Sequence, residues 1–134
     1  MIAFKTDRER DEWNNHNLNP KVKAIVRYID SLLSSEYDLS AIITSIYRTR
    51  EEQQRAAIGI GEPTNRRSVH EFWRGVDVRV HDWPDSLADA VAAIVNGIFV
   101  YDDNRLEMKT AIVHGEGENR HLHLQVNSWR ESWR

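Results

Sequence analysis

The sequence predicts an α+β fold, a mainly antiparallel central sheet with flanking helices, and three observations carry that reading. Apolar residues recur at helical spacing in two separate stretches, strand-like runs appear in others, and nothing shows the sustained strand–helix–strand alternation of a parallel sheet. In chain order, Asn19-Pro20 precedes Val22, Ile25, Val26, Ile29, Leu32 and Leu33, an apolar stripe at three- and four-residue spacing. With proline suited to a first helical turn, this predicts a helix over about 20–35. The stretch 39–47, LSAIITSIY, is β-branched and aromatic without Gly or Pro and reads as a buried strand. Thr49 with Glu52 three residues on has the form of a capping box, opening a short helix through Gln54 to Ile58 that Gly59 and Gly61 would end. Along 74–80, Val76, Val78 and Val80 share one strand face while Asp77 and Arg79 share the other. Pro84 starts another helix, with Leu87, Val91, Ile94, Val95 and Ile98 on one side, and two further strands are expected around 106–114 and 121–126.

With 134 residues, 40% of them apolar, and no linker, repeat or low-complexity tract, the chain reads as one domain over 1–134, able to bury a core without disulfides or a structural metal. It has no cysteine, so a disulfide framework, a thiolate zinc site, an iron–sulfur cluster and a cysteine nucleophile are excluded, and a metal site must use His, Asp and Glu. The net charge of −3 argues against a dedicated nucleic-acid binder, leaving pairs such as Arg66-Arg67 as local anion contacts. Five tryptophans among scattered arginines are the whole case for an RNA- or DNA-binding domain, and aromatics in this number more often serve a core. The N-terminus is charged from Lys5 onward and has no apolar core, so no Sec signal peptide is expected and synthesis is placed in the cytoplasm. No apolar run approaches the roughly 20 residues that span a bilayer, so membrane insertion is not expected either. A monomer is expected, with the C-terminal repeat of Ser-Trp-Arg packing Trp129 and Trp133 on the domain.

Of six histidines, His16 and His81 sit in polar lead-in or turn sequence and read as ordinary surface residues. His121 and His123 lie two apart in a β-type run, HLHLQV, so both imidazoles face one side while Leu122 and Leu124 face the other. Such a pair can converge on one ion or anion, although alternation of polar and apolar residues is also what a half-solvated strand shows. Glu118, three residues before His121, adds a carboxylate within reach of the same space. His70 and Asp77 form the other candidate group. An Asp between core valines needs compensation, because a buried carboxylate without a partner is costly. Its partner is either an arginine such as Arg74 or Arg79, or a divalent cation shared with His70. Two imidazoles and one carboxylate with an open position for water make the usual catalytic zinc shell.

Taken together, Ser68-x-His70, Arg74-x-Val76-Asp77-Val78-Arg79 and Glu118-x-x-His121-x-His123 resemble the metal-binding signature of the zinc D-Ala-D-Ala carboxypeptidases and L-alanyl-D-glutamate endopeptidases, the structural group that includes the hedgehog signalling domain. The Ser-x-His, the Asp seven residues after that His, and the later acidic-x-x-His all match in spacing. Thr44 to Thr49, followed by Glu51, Gln53 and Gln54, is similar to the family's strand ending in Tyr-Arg before a helix, so the resemblance covers about 20–127. It implies a hedgehog/DD-peptidase-like architecture and a Zn2+ held by His70, Asp77 and His121. Glu118 would be the general base, Arg48 the donor to the developing oxyanion, Ser68 a support of the metal loop or a substrate end, and Tyr47 and His123 substrate-binding residues. His123 is also able to orient a ligand, or to replace His121 in the metal shell. The chain departs from the family in carrying Trp73 where a Gly is common and Gly75 where a small Ala is common.

The function so implied is a zinc metallopeptidase hydrolysing peptidoglycan stem peptides, either a D,D-carboxypeptidase or an L-Ala-D-Glu endopeptidase, acting on the cell wall in the manner of a phage lysis enzyme. The alternative, also by resemblance, is a non-catalytic zinc-binding module of the hedgehog-like type. Glu118 and Arg48 speak for the enzyme, since a structural zinc site needs neither a base nor an oxyanion donor.

Overall fold

A computed structural model gives the fold and describes residues 1–59 and 67–127, with the side chains of 58 and 59 left aside. The chain is α+β. Among the described residues five strands lie in the order β1-β2-β3-β5-β4: β1 (Ala3–Phe4), β2 (Ile42–Ser45), β3 (Gly75–Arg79), β4 (Ala111–His114) and β5 (His121–Gln125). β1 pairs parallel with β2, and every other pairing is antiparallel. The helices are α1 (Asp7–Trp13), α2 (Pro20–Tyr37), α3 (Arg50–Gly59) and α4 (Leu87–Ile98), with short 3-10 turns at Val69–Phe72 and Gly117–Asn119.

Most of these elements follow the sequence pattern. Asn19 caps α2 by accepting from the N–H groups of Lys21 and Val22, Pro20 opens it, and Asp38 closes it in a left-handed conformation at φ 52°. The buried stripe of α2 is Val22, Ile25, Val26, Ile29 and Leu33. The predicted box at the start of α3 is formed: Thr49 Oγ1 accepts from the Glu52 N–H, and the Glu52 carboxylate accepts from the Thr49 N–H. Val76 and Val78 of β3 and Leu122 and Leu124 of β5 are fully buried, and this face of the sheet joins the stripes of α2 and α4 and Trp13 of α1 in one core.

Three differences have physical causes. α4 buries Leu87, Ala88, Val91, Ala92 and Val95, so small alanines complete its inner face, while Ile94 and Ile98 are turned outward at 41% and 53% exposure. The helix begins at Leu87 rather than at Pro84, whose carbonyl accepts the Leu87 N–H in the preceding turn. The fourth strand starts only at Ala111, because 106–110 form turns and loop. β1 and α1 have no counterpart in the sequence reading. Thr6 and Glu9 nevertheless make a complete capping box ahead of α1, a three-residue spacing visible in the sequence. Gly61, Arg66, Trp129 and Trp133 lie outside the described residues.

α1 is tied to α3 by Arg8, whose guanidinium holds both oxygens of Glu52, at 2.7 and 2.9 Å, and also reaches the Tyr47 carbonyl. Hydrogen bonds from Arg8, then from the Thr49 N–H, hold the Glu52 carboxyl down to about 2. A carboxylate with a depressed folded value contributes stability that is complete above its unfolded value of about 4.3 and is lost as pH falls toward 2. Glu52→Gln should therefore flatten the fall of thermal stability between about pH 4.5 and pH 2, while both proteins keep similar slopes near neutrality. Thermal denaturation by circular dichroism across that range is the measurement.

Candidate metal centre

The face of the sheet opposite the core carries Gly75, Asp77 and Arg79 of β3 and His121, His123 and Gln125 of β5. The register sets Asp77 opposite His123 and Arg79 opposite His121. Asp77 is the centre of the group. Its Oδ1 lies 2.9 Å from His123 Nδ1, 3.3 Å from His70 Nε2 and 3.8 Å from His121 Nε2. Its Oδ2 accepts from Arg48 Nη2 at 3.3 Å. His70 and Asp77 are buried and His123 is half-buried, and ligand atoms of these three all lie within 4.8 Å of one another, a set that can hold a metal ion.

The protonation pattern around the histidines is fixed from outside. His70 Nδ1 lies 2.8 Å from the Ile46 carbonyl, and His121 Nδ1 lies 2.9 Å from the Asn119 carbonyl. A carbonyl only accepts, so each of these nitrogens carries the hydrogen. His123 Nε2 lies 3.1 Å from Gln125 Oε1, and the Gln125 amide is oriented by its own donation to the Lys109 carbonyl at 2.7 Å, so His123 Nε2 carries the hydrogen as well. In the neutral rings the remaining nitrogens then bring lone pairs to one carboxylate oxygen. Two acceptors at about 3 Å repel unless a proton or a cation lies between them. Histidines anchored by the far ring nitrogen, with the near one presented to a shared point, have the outer-sphere arrangement of metal ligands. Burial raises the Asp77 carboxyl, but the charge of His70 and hydrogen bonds with His123 and His70 outweigh it and keep the group well below the ordinary carboxylate range.

Local structure explains how His70 reaches this point. Ser68 and Glu71 form a second capping box around the 3-10 turn Val69–Phe72, with Ser68 Oγ accepting from the His70 N–H and Glu71 accepting from the Ser68 N–H at 2.7 Å. Ser68 thus holds the loop that bears His70. The turn lies directly on β3 at Gly75, where an added Cβ would come within 2.5 Å of Val69 Cγ2 and 3.5 Å of His70 Cε1. Trp73 closes the turn with a left-handed backbone at φ 59°, the conformation that glycine adopts most easily. Its ring stacks on Tyr47 at 4.5 Å and packs against the core, so both side chains brace the turn.

Arg48 follows Tyr47 just beyond β2. Besides Asp77 it donates to Gln53 Oε1 at 3.2 Å, while its backbone N–H donates to the His70 carbonyl. It also lines a cleft of ≈ 290 Å³ with Arg8, Glu12, Ser45, Tyr47 and Arg55. Glu118 is exposed in the turn Gly117–Asn119 and has no hydrogen bond or ion pair among the described residues, so the structure does not bring it against Asp77. His121 adjoins the three-residue set without belonging to it. Gln125 is a site residue that the sequence reading missed. Its signal was the continuation of the His121-x-His123 alternation by a third polar side chain on the same face. Compared with family models, curated proteins and solved structures, the chain matches none of them.

Two expectations follow. With Zn2+ as the probe of the candidate site, replacing His70 or His123 with Ala should weaken metal binding by a larger factor than replacing His121, as read by competition with a chromophoric chelator. Equal losses for His121 and His123 would make the site four-sided. Gly75→Ala should overpack the contact between β3 and the 3-10 turn, costing about 1–3 kcal/mol in denaturant melts and lowering zinc affinity by moving His70.

Proposed function

We propose that the protein is a zinc metallopeptidase of the hedgehog/DD-peptidase-like kind that hydrolyses peptidoglycan stem peptides, as a D,D-carboxypeptidase or an L-Ala-D-Glu endopeptidase. The observation that carries this reading is the convergence of anchored imidazoles on the buried Asp77 carboxylate. The fit is that of a borderline-soft dication to nitrogen and oxygen donors: His70, Asp77 and His123 would hold the ion, with His121 beside it. A zinc ion bound there would supply Lewis acidity toward a carbonyl and toward water.

The remaining work falls to the chain. Arg48 uses one N–H on Asp77 and one on Gln53, which leaves three of its five donors for the carbonyl oxygen of a bound peptide as negative charge develops on it. Glu118, untied on its turn, is placed by the chain three residues ahead of His121, where it takes a proton from the attacking water and returns it to the leaving amine. The cleft beside Arg48 has room for the acyl side of the peptide, and Ser68 keeps the His70 loop in place rather than touching substrate. In this reading the protein works as a monomer on the cell wall.

One observation favours the second reading, a non-catalytic metal-binding module: Glu118 is exposed and makes no contact with the cluster. The two are separated by pairing zinc stoichiometry with cleavage of stem-peptide substrates. For the peptidase, Glu118→Gln should keep zinc and thermal stability near wild type while hydrolysis drops by about two to four orders of magnitude. Wild-type protein that binds zinc stoichiometrically and cleaves no stem peptide would establish the binding module instead.

A further inference from the structure

Arg79 is two residues beyond Asp77 on β3 and shares its face, so by the strand repeat its Cα lies about 6.5 Å from that of Asp77. It is half-buried, set opposite His121 in the register, and has no hydrogen bond, ion pair or ring contact among the described residues. Other arginines of the described residues near the site are engaged: Arg48 on Asp77 and Gln53, and Arg8 on Glu12 and Glu52. On the far side of His121, His114 of β4 closes the row, with ring centroids 5.3 Å apart. A permanently charged, forked donor with no partner among the described residues, next to a candidate metal centre, is suited to bind a planar anion bidentately.

We propose that Arg79 is the anchor of a carboxylate subsite, resting on the peptidase reading above, and that the carboxylate belongs to the residue supplying the leaving amine. The placement argues for this. β2 and β3 are antiparallel, so Arg48 and its cleft adjoin the Gly75 end of β3 and Arg79 marks the other end. A peptide with its acyl part in the cleft and its scissile carbonyl at the Asp77 cluster sends its leaving residue toward Arg79. Consecutive Cα atoms are about 3.8 Å apart, so a carboxylate on the first leaving residue, met by the length of an arginine side chain, falls within this span. An ordinary interior peptide bond carries no carboxylate there. Two stem-peptide residues do: a terminal D-Ala, through its free C-terminus, and a D-Glu linked through its γ-carboxyl, through its free α-carboxylate. Arg79 thus selects against general protein substrates for either cleavage.

The test reads binding rather than turnover, so that the subsite and the peptidase activity are judged separately. Zinc-loaded, 15N-labelled protein is titrated with D-alanine and D-alaninamide, and with D-glutamine, which has a free α-carboxylate and a blocked γ-carboxyl, and its α-amide. Wild type should bind at least one acid ten-fold or more tighter than its amide, and the acid so favoured names the leaving residue. Arg79→Gln should abolish the preference with zinc content and thermal midpoint unchanged, and Arg79→Lys should retain part of it. Equal binding of acid and amide in both pairs overturns the subsite. So does a preference that survives in Arg79→Gln, because the carboxylate is then held elsewhere, on the metal for example. A preference lost with Arg79→Gln in a protein that hydrolyses no stem peptide leaves the subsite standing and removes the peptidase.

Discussion

The interaction on which the site depends is the compensation of one buried carboxylate. Asp77 lies in the middle strand of the sheet, and an ionised side chain there is stable only if opposite charge or hydrogen-bond donors meet both oxygens. Arg48 meets Oδ2 from the segment just beyond β2, and His123 and His70 meet Oδ1 from β5 and from the 3-10 turn before β3. Three chain segments far apart in sequence are thereby drawn to one point. Because each imidazole is held by its far nitrogen and turns its near one to that point, where a proton or a cation can lie, the same arrangement that compensates the carboxylate can also hold a metal ion.

The surrounding structure serves to hold those side chains at fixed angles. Gly75 admits the 3-10 turn onto the strand, Ser68 and Glu71 cap it, and the stack of Trp73 on Tyr47 braces its end. The Ile46 carbonyl, available because β2 ends at Ser45, fixes the His70 ring. On the other side Gly115, at φ 84°, has the Asn119 carbonyl 2.6 Å from where a Cβ would stand, and that carbonyl orients His121. Glycines and caps that look like ordinary loop punctuation in the sequence are here the means by which ring tautomers are set.

The two faces of the sheet divide the labour. One face buries valines and leucines against α2 and α4 and supplies the rigidity. The other carries the Asp77 cluster with Arg79, His121 and His114 beside it, and Arg48 reaches that cluster from beyond the end of β2.

The sequence made legible the α+β class and the spans of α2, α3 and β3, because periodicity, capping residues and local spacing are written within single segments, and it made His70 and Asp77 stand out as candidates, although arginines competed with His70 as the partner of Asp77. It also showed that His121 and His123 share a face. It did not distinguish the two, since alternation is blind to register, and the alignment of β5 on β3 is what sets His123 rather than His121 opposite Asp77. The outward turn of Ile94 and Ile98 escaped it for a similar reason: helical spacing groups residues by side, while the sheet and its neighbours choose which side is buried. Gln125 as the anchor of His123, the left-handed backbone at Trp73 and the placement of Arg79 beside His121, with no partner among the described residues, emerge only from tertiary structure. Each is defined by an atom from another segment, or by the absence of one, and no single stretch of sequence contains both partners.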